Sequence, residues 1–277
     1  MGGVKELIRK HAALFYFTLA FVISWGGIAA IVGPGNIPGT SDSATTLFPF
    51  VYLAMLIGPS LGGILLTGLV DGRAGYRSYF SRLIRLRVHF RWYLLTFVAV
   101  PLFIFVLLLL LSLISPLYLP GLLIAENKLG LIISGLSIGI GAGLFEELGW
   151  TGFVTPRLRQ RYGVLVTGLL VGLLWGVWHF LATFWGSGDA EGNFVPDLFW
   201  APFVFYVGVL PAYRTLMVWV HDHTGSMLMA IFMHGMLTAC TVVVLAPAAV
   251  GAMLAWYYIV LTVLLWIINW VLLRMKR

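Results

Sequence analysis

Residues 141–153 read Gly-Ala-Gly-Leu-Phe-Glu-Glu-Leu-Gly-Trp-Thr-Gly-Phe and set two adjacent carboxylates, Glu146 and Glu147, inside an apolar run from about 129 to 154. One carboxylate at the centre of a membrane-spanning helix costs roughly 2.5–3.5 kcal/mol on insertion scales, so a pair needs partners, a water-filled cavity or protons. The bland account is an ion pair that locks two helices. Intramembrane carboxylates are nonetheless functional candidates by default, and the search for their partners organises the reading of the rest of the chain.

The run is one of several. The 277 residues are 61% hydrophobic and only 10% charged, whereas soluble domains carry about 25% charged residues. That balance predicts an all-α polytopic membrane protein. Apolar stretches of spanning length lie at about 11–32, 46–70, 90–115, 129–154, 164–185, 198–220, 227–246 and 252–273, a bundle of about eight transmembrane helices. The first is too long for the apolar region of a cleavable signal and is expected to be retained. Segment 33–44, with Pro34 and Pro38, reads as an external turn. With no linker, biased tract or repeat, residues 1–277 form a single transmembrane domain. The lone Cys240 sits in an apolar run as a small buried side chain.

The net charge of +7 is explained by where the basic residues fall. They cluster before the first span (Lys5, Arg9, Lys10), in the second link (Arg73, Arg77, Arg82, Arg85, Arg87, Arg91), in the fourth (Arg157, Arg159, Arg161) and at the end (Arg274, Lys276, Arg277). With Arg214 near the same side, Lys128 alone of the seventeen falls on the other. The cluster side is therefore expected to be cytoplasmic, with both termini on it. No larger soluble module accompanies the arginines, so no nucleic-acid partner is expected; the expected location is a prokaryotic plasma membrane.

Of ten acidic residues only Glu146 and Glu147 lie well inside a span, and of six histidines only His179 and His234 do. Gly135, Gly139 and Gly143 recur at intervals of four and lead on to Glu147 and Thr151. Gly168, Gly172 and Gly176 form a second such stripe, with His179 three residues later. Small-residue stripes let helices approach closely, which predicts that the fourth and fifth spans pack glycine against glycine. Glu147 would then point into that contact, and Glu146, about 100° around the helix, toward a cavity. At about 1.5 Å per residue His179 falls deeper than Glu146 and His234, so the fifth span is expected to tilt, begin later or start outside the bilayer.

A carboxylate, two imidazoles and a cavity are what hydrolysis within a membrane needs. Glu146 with His179 can hold and deprotonate water, while His234 and Thr238, one turn apart, can offer an N–H and a hydroxyl to an oxyanion. For each histidine alone, a satisfied interhelical hydrogen bond is the plainer reading.

These residues resemble the fingerprint of the CAAX prenyl protease and bacteriocin-processing (CPBP, Abi) family of intramembrane proteases, which includes the type II CAAX prenyl endopeptidases. That fingerprint is Glu-Glu-x-x-x-Arg, Phe-x-x-x-His and His-x-x-x-Asn, met here by Glu146-Glu147-x-x-x-Thr151, Trp175-x-x-x-His179 and His234-x-x-x-Thr238. The resemblance places the family core at about 129–246 and implies an endopeptidase acting on a prenylated, leader or other membrane-associated peptide, with membrane lipid as surroundings. It implies that Glu146 and His179 activate water, that His234 orients water or stabilises the oxyanion, and that Glu147 is auxiliary. Trp175 keeps an aromatic wall one turn before His179. Thr151 stands where the family has arginine, so Glu147 must find another cation, such as Arg157 or Arg214, or a proton. Thr238 replaces an amide donor with a hydroxyl.

Two versions of the chemistry stand. Glu146, His179 and His234 could furnish the three ligands of a catalytic Zn²⁺ with water in the fourth place, or the same residues could activate water without metal. His221-Asp222-His223 reads as a solvated pair of histidines on a short link. A non-catalytic immunity or partner protein of the same fold, or less readily a small transporter, would also place carboxylates and histidines in a bundle interior.

The orientation is open to test by reporter fusion. A reporter active only outside the cell is expected to be silent when fused after Arg277, and the link 73–91 to resist external protease; the opposite pattern inverts the assignment.

Overall fold

The computed structural model describes residues 2–275, so Lys276 and Arg277 of the terminal basic cluster lie outside the described residues. A short helix, Gly2–Lys10, leads into eight helices long and apolar enough to cross a membrane. They are α1 (Ala12–Val32), α2 (Ser41–Leu83), α3 (Phe90–Ser112), α4 (Lys128–Arg159), α5 (Val164–Trp185), α6 (Pro196–Thr224), α7 (Met227–Val244) and α8 (Gly251–Arg274). The protein is an all-α integral membrane bundle, and each expected span coincides with one helix.

The ends differ from expectation where local chemistry outruns hydropathy. Helix α2 begins at Ser41, inside the segment read as a turn, because the Thr40 hydroxyl accepts the N–H of Ser43 and caps it. At its other end it runs past the bilayer-length stretch to Leu83, broken only at Gly72, whose φ of 62° needs glycine.

Helix α4 also continues to Arg159, and this bears on the site. Residues Trp150–Val154 form a π-helical stretch. The cause is Pro156, which has no N–H and whose ring crowds the carbonyl four residues back; widening the preceding turn relieves both. The Thr155 hydroxyl donates to the Trp150 carbonyl, 2.6 Å away. Proline follows two further π stretches in the same way, Pro101 after Leu95–Ala99 and Pro211 after Phe205–Val209. With α4 prolonged, Glu146 sits roughly 20 Å from the helix end, a depth close to that of His179 from Val164. The expected mismatch in depth between those two residues thus comes from an underestimated α4.

The glycine stripes are used, but not against each other. A side-chain carbon added at Gly139 would run into the Gly235 carbonyl, and one at Gly143 into the Ile231 carbonyl, both on α7. Carbons added at Gly168, Gly172 and Gly176 would meet Thr215, Pro211 and the Tyr206 carbonyl, all on α6. So α4 packs on α7 and α5 on α6, correcting the expected pairing of α4 with α5. Glycine stripes report that a backbone comes close, and carry no label for which one. The α4–α7 contact, with Gly63 of α2 against Leu148 and Gly149, surrounds the carboxylate pair with backbone.

Gly143→Val is expected to cost about 1–3 kcal/mol by overpacking against α7. Gly141→Ala, which meets only the Tyr52 hydroxyl at 3.5 Å, should stay within about 0.5 kcal/mol of the parent in the same detergent unfolding titration.

Candidate functional site

Glu147 is fully buried, and its partner is Arg214 of α6 rather than Arg157. The guanidinium binds both carboxylate oxygens, each at 2.7 Å, in the bidentate fork that arginine geometry favours. Arg157 instead pairs with Asp71 of α2. The Thr151 hydroxyl donates to Glu147 Oε2 at 2.5 Å, and His234 Nδ1 lies 2.8 Å from Oε1. Three helices, α4, α6 and α7, therefore meet on one carboxylate.

Glu146 is built differently. Its Oε2 accepts the indole N–H groups of Trp175 at 2.7 Å and Trp150 at 3.2 Å, and no arginine touches it. Oε1 lies 3.8 Å from His234 Nε2, beyond hydrogen-bond range. Trp175 links the two glutamates. Its N–H serves Glu146, while its ring face carries the Arg214 guanidinium at 4.4 Å and lies 4.7 Å from the His234 ring.

Hydrogen-bond acceptors at Nδ1 set the histidine tautomers. At His179 the α5 helix breaks, and its N–H bonds to Gly176 O, which leaves the Trp175 carbonyl free for His179 Nδ1 at 2.9 Å. A carbonyl can only accept, so Nδ1 carries the proton and Nε2 is left as an acceptor in the neutral ring. Tyr206 of α6 stacks on this ring at 4.7 Å and 11°. His234 likewise directs Nδ1 to a carboxylate, Glu147, and leaves Nε2 toward Glu146.

Glu146, Trp175, His179, His234 and Thr238 all line one cavity of about 590 Å³, whereas Glu147 and Thr151 lie behind its wall. Glu146 and His179 share the cavity without a hydrogen bond to each other. A zinc site would need Glu146, His179 and His234 gathered about one point. Among the described residues, no three His, Cys, Asp or Glu side chains are so gathered, and these residues do not fit a three-ligand site. The His221-Asp222-His223 stretch is not a loop but the last turn of α6. Asp222 pairs with Arg159 at 2.6 Å, His221 is buried, and residues two apart on a helix face different ways. Trp150 and Tyr206 were missed in the sequence. Trp150 alone carried a signal, one turn after Glu146.

With the geometry in place, the comparisons are specific. The family described as type II CAAX prenyl endopeptidase Rce1-like matches residues 128–240. Over these residues the chain is similar to that family. They run from the start of α4 to Cys240 in α7 and contain Glu146, Glu147, Trp175, His179, Arg214, His234 and Thr238. The chain is also similar to CAAX prenyl protease 2 of Methanococcus maripaludis, 30% identical over 94 residues, which are 34% of each chain. The match thus spans about a third of that relative's length. Where the family has arginine one turn after its second glutamate, Thr151 accompanies an arginine brought from α6.

Arg214→Leu is expected to destabilise the protein by about 3–5 kcal/mol, because Glu147 would be left as an unpaired buried charge. Adding Glu147→Gln should recover a large part of that loss in the same unfolding titration, since the neutral amide removes the stranded charge.

Proposed function

We propose that the protein is a peptidase that hydrolyses a peptide bond within an apolar, membrane-associated segment, using water activated by Glu146 and the two histidines. One observation carries the reading. Glu146 Oε1 and His234 Nε2 face each other 3.8 Å apart on the wall of a cavity that also presents His179 and Thr238. Such a gap is too long for a direct bond and suits a water held by both.

In this mechanism Glu146 takes a proton from water and the hydroxide oxygen attacks the scissile carbonyl carbon, whose π electrons move to its oxygen. The Thr238 hydroxyl donates to that oxyanion. His234 has its one neutral N–H committed to Glu147, so it donates into the cavity only as imidazolium. Collapse of the intermediate re-forms the carbonyl, and the leaving amine takes the proton from Glu146 or His234. His179 presents Nε2 as a second acceptor, held by its bond to the Trp175 carbonyl. Glu147 and Arg214 touch no reacting atom here and act by positioning His234. The family match and the name of the Methanococcus maripaludis relative support a protease and make prenylated peptides candidate substrates.

Glu146→Gln keeps the volume and the indole hydrogen bonds but cannot take a proton. It should lower kcat by about 10²–10⁴ on a quenched fluorogenic peptide while the protein stays folded. His179→Ala should act similarly, with the double variant scarcely worse than either alone. Turnover retained by a folded Glu146→Gln protein would remove the assignment. Because the proposal routes no step through a metal, treatment with a strong chelator should leave the rate unchanged; a loss restored by added Zn²⁺ would overturn the metal-free version.

A further inference from the structure

A second cavity, of about 720 Å³, lies where the basic ends of the helices gather and shares no lining residue with the first. Its walls come from the end of the short first helix and the start of α1, from α2 between Thr67 and Arg82, from the last turns of α4 with the link after it, and from His221 of α6. Along α4 the fully buried Trp150 and Phe153 stand between Glu146, which lines the first cavity, and Arg157, which lines the second. Neither Glu146 nor His179, His234 or Thr238 takes part in it.

The two cavities are opposite in chemistry. No lysine or arginine lines the first, whereas Arg9, Lys10, Arg82, Arg157 and Arg161 line the second with one carboxylate, Asp71. That carboxylate is already bound to Arg157, whose guanidinium also donates to the Phe153 carbonyl at 2.7 Å and lies over the Phe153 ring. Arg82 donates to the carbonyls of Gly152 at 2.8 Å and Thr151 at 3.4 Å, which orient the guanidinium without neutralising it. Among the described residues, no carboxylate forms an ion pair with Arg9, Lys10, Arg82 or Arg161. Four cations thus share one hollow without a counter-ion from the protein, and their mutual repulsion favours an anion among them.

His221 is an independent sign of a ligand. It lies in the cavity wall, nine-tenths buried, and neither ring nitrogen has a hydrogen-bond partner. An unbonded buried imidazole costs free energy that a ligand rich in acceptor oxygens would return. The lining also includes the apolar Ala13, Leu14 and Val70, and Leu14 is 66% exposed, so the wall runs on to the lipid-facing surface of α1.

We propose that this cavity binds a phosphate group, carried by the headgroup of an anionic phospholipid or by a soluble phosphate. Arginine forks match the several oxygens of a phosphate, and its charge can exceed the single charge of a carboxylate, as the excess of cations requires. A basic hollow between the ends of spanning helices is a setting in which phosphorylated headgroups are held. The proposal depends neither on the peptidase reading nor on which side of the membrane the basic end faces.

The test follows the unfolding midpoint of the full-length protein in a neutral detergent as ligand is added. The probes are inorganic phosphate, pyrophosphate and dihexanoyl phosphatidic acid, with dihexanoyl phosphatidylcholine as the net-neutral lipid of equal chain length. A saturable rise of at least about 4 °C is expected with a phosphate probe and not with phosphatidylcholine. A rise with phosphatidic acid alone assigns the site to a lipid headgroup, and an equal rise with phosphate or pyrophosphate assigns it to a soluble phosphate. No saturable rise with any phosphate probe, or as large a rise with phosphatidylcholine, overturns the proposal. Arg9→Gln/Arg161→Gln removes two exposed lining charges and should weaken binding at least about tenfold, whereas Arg77→Gln/Arg87→Gln, exposed and outside the lining, should stay within about twofold. His221→Leu should weaken binding at least about threefold, through the lost hydrogen bond to the phosphate. Unchanged affinity in either lining variant, or an equal loss in Arg77→Gln/Arg87→Gln, overturns the site.

Discussion

The site depends on the ion pair between Glu147 and Arg214. Each charge alone would be prohibitive at zero exposure inside an apolar bundle. Together, with Thr151 and His234 taking further hydrogen bonds, they tie α4 to α6 and α7 at one point. Such a pair contributes little net stability against an apolar alternative, but it fixes register, because any slip of the three helices would strand a buried charge. His234 inherits its orientation from this pair. Trp175, pinned by the Arg214 guanidinium on its face, in turn directs an N–H at Glu146.

Seen this way, the two adjacent glutamates divide the work by environment rather than by sequence. Glu147 has a full-charge partner and belongs to the framework. Glu146 has two neutral indole donors and one oxygen left over toward the cavity. An arginine on α4 at position 151 would neutralise Glu147 from within its own helix. Bringing the arginine from α6 makes the same neutralisation an interhelical contact, and Thr151 fills the vacated place with a hydroxyl small enough to reach the same oxygen.

Much of this was legible in the sequence because the relevant physics is local. Hydropathy marked all eight helices, since the cost of unpaired backbone in lipid leaves few other structures for such runs. Counting by turns brought out Glu147 with Thr151, and Trp175 with His179, because residues four apart share a face. The partners across helices were not legible in the same way. The glycines of α4 and α5 announce close backbones, yet adjacency in sequence suggested each other as partners when α7 and α6 hold those places. Arg214 was visible only as one of two candidate cations, and the role of Trp150 depends on an α4 prolonged through a π stretch that Pro156 imposes. The π stretch needed the clash of a ring with a carbonyl, which hydropathy does not register.

The π stretches also explain how long spans enclose a cavity. Those in α6 and α7 lie beside the cavity, at Phe205–Val209 and Ala239–Val244, and that in α4 follows the carboxylates directly. Each adds part of a turn and shifts every later side chain around the helix. In α6 this places Tyr206 over His179 while Arg214, two turns on, still reaches Glu147. A regular α6 would rotate one of those two residues away from its partner. The proline that forces the wider turn therefore couples the part of α6 where Tyr206 meets His179 beside the cavity to the part where the ion pair holds the helices in register.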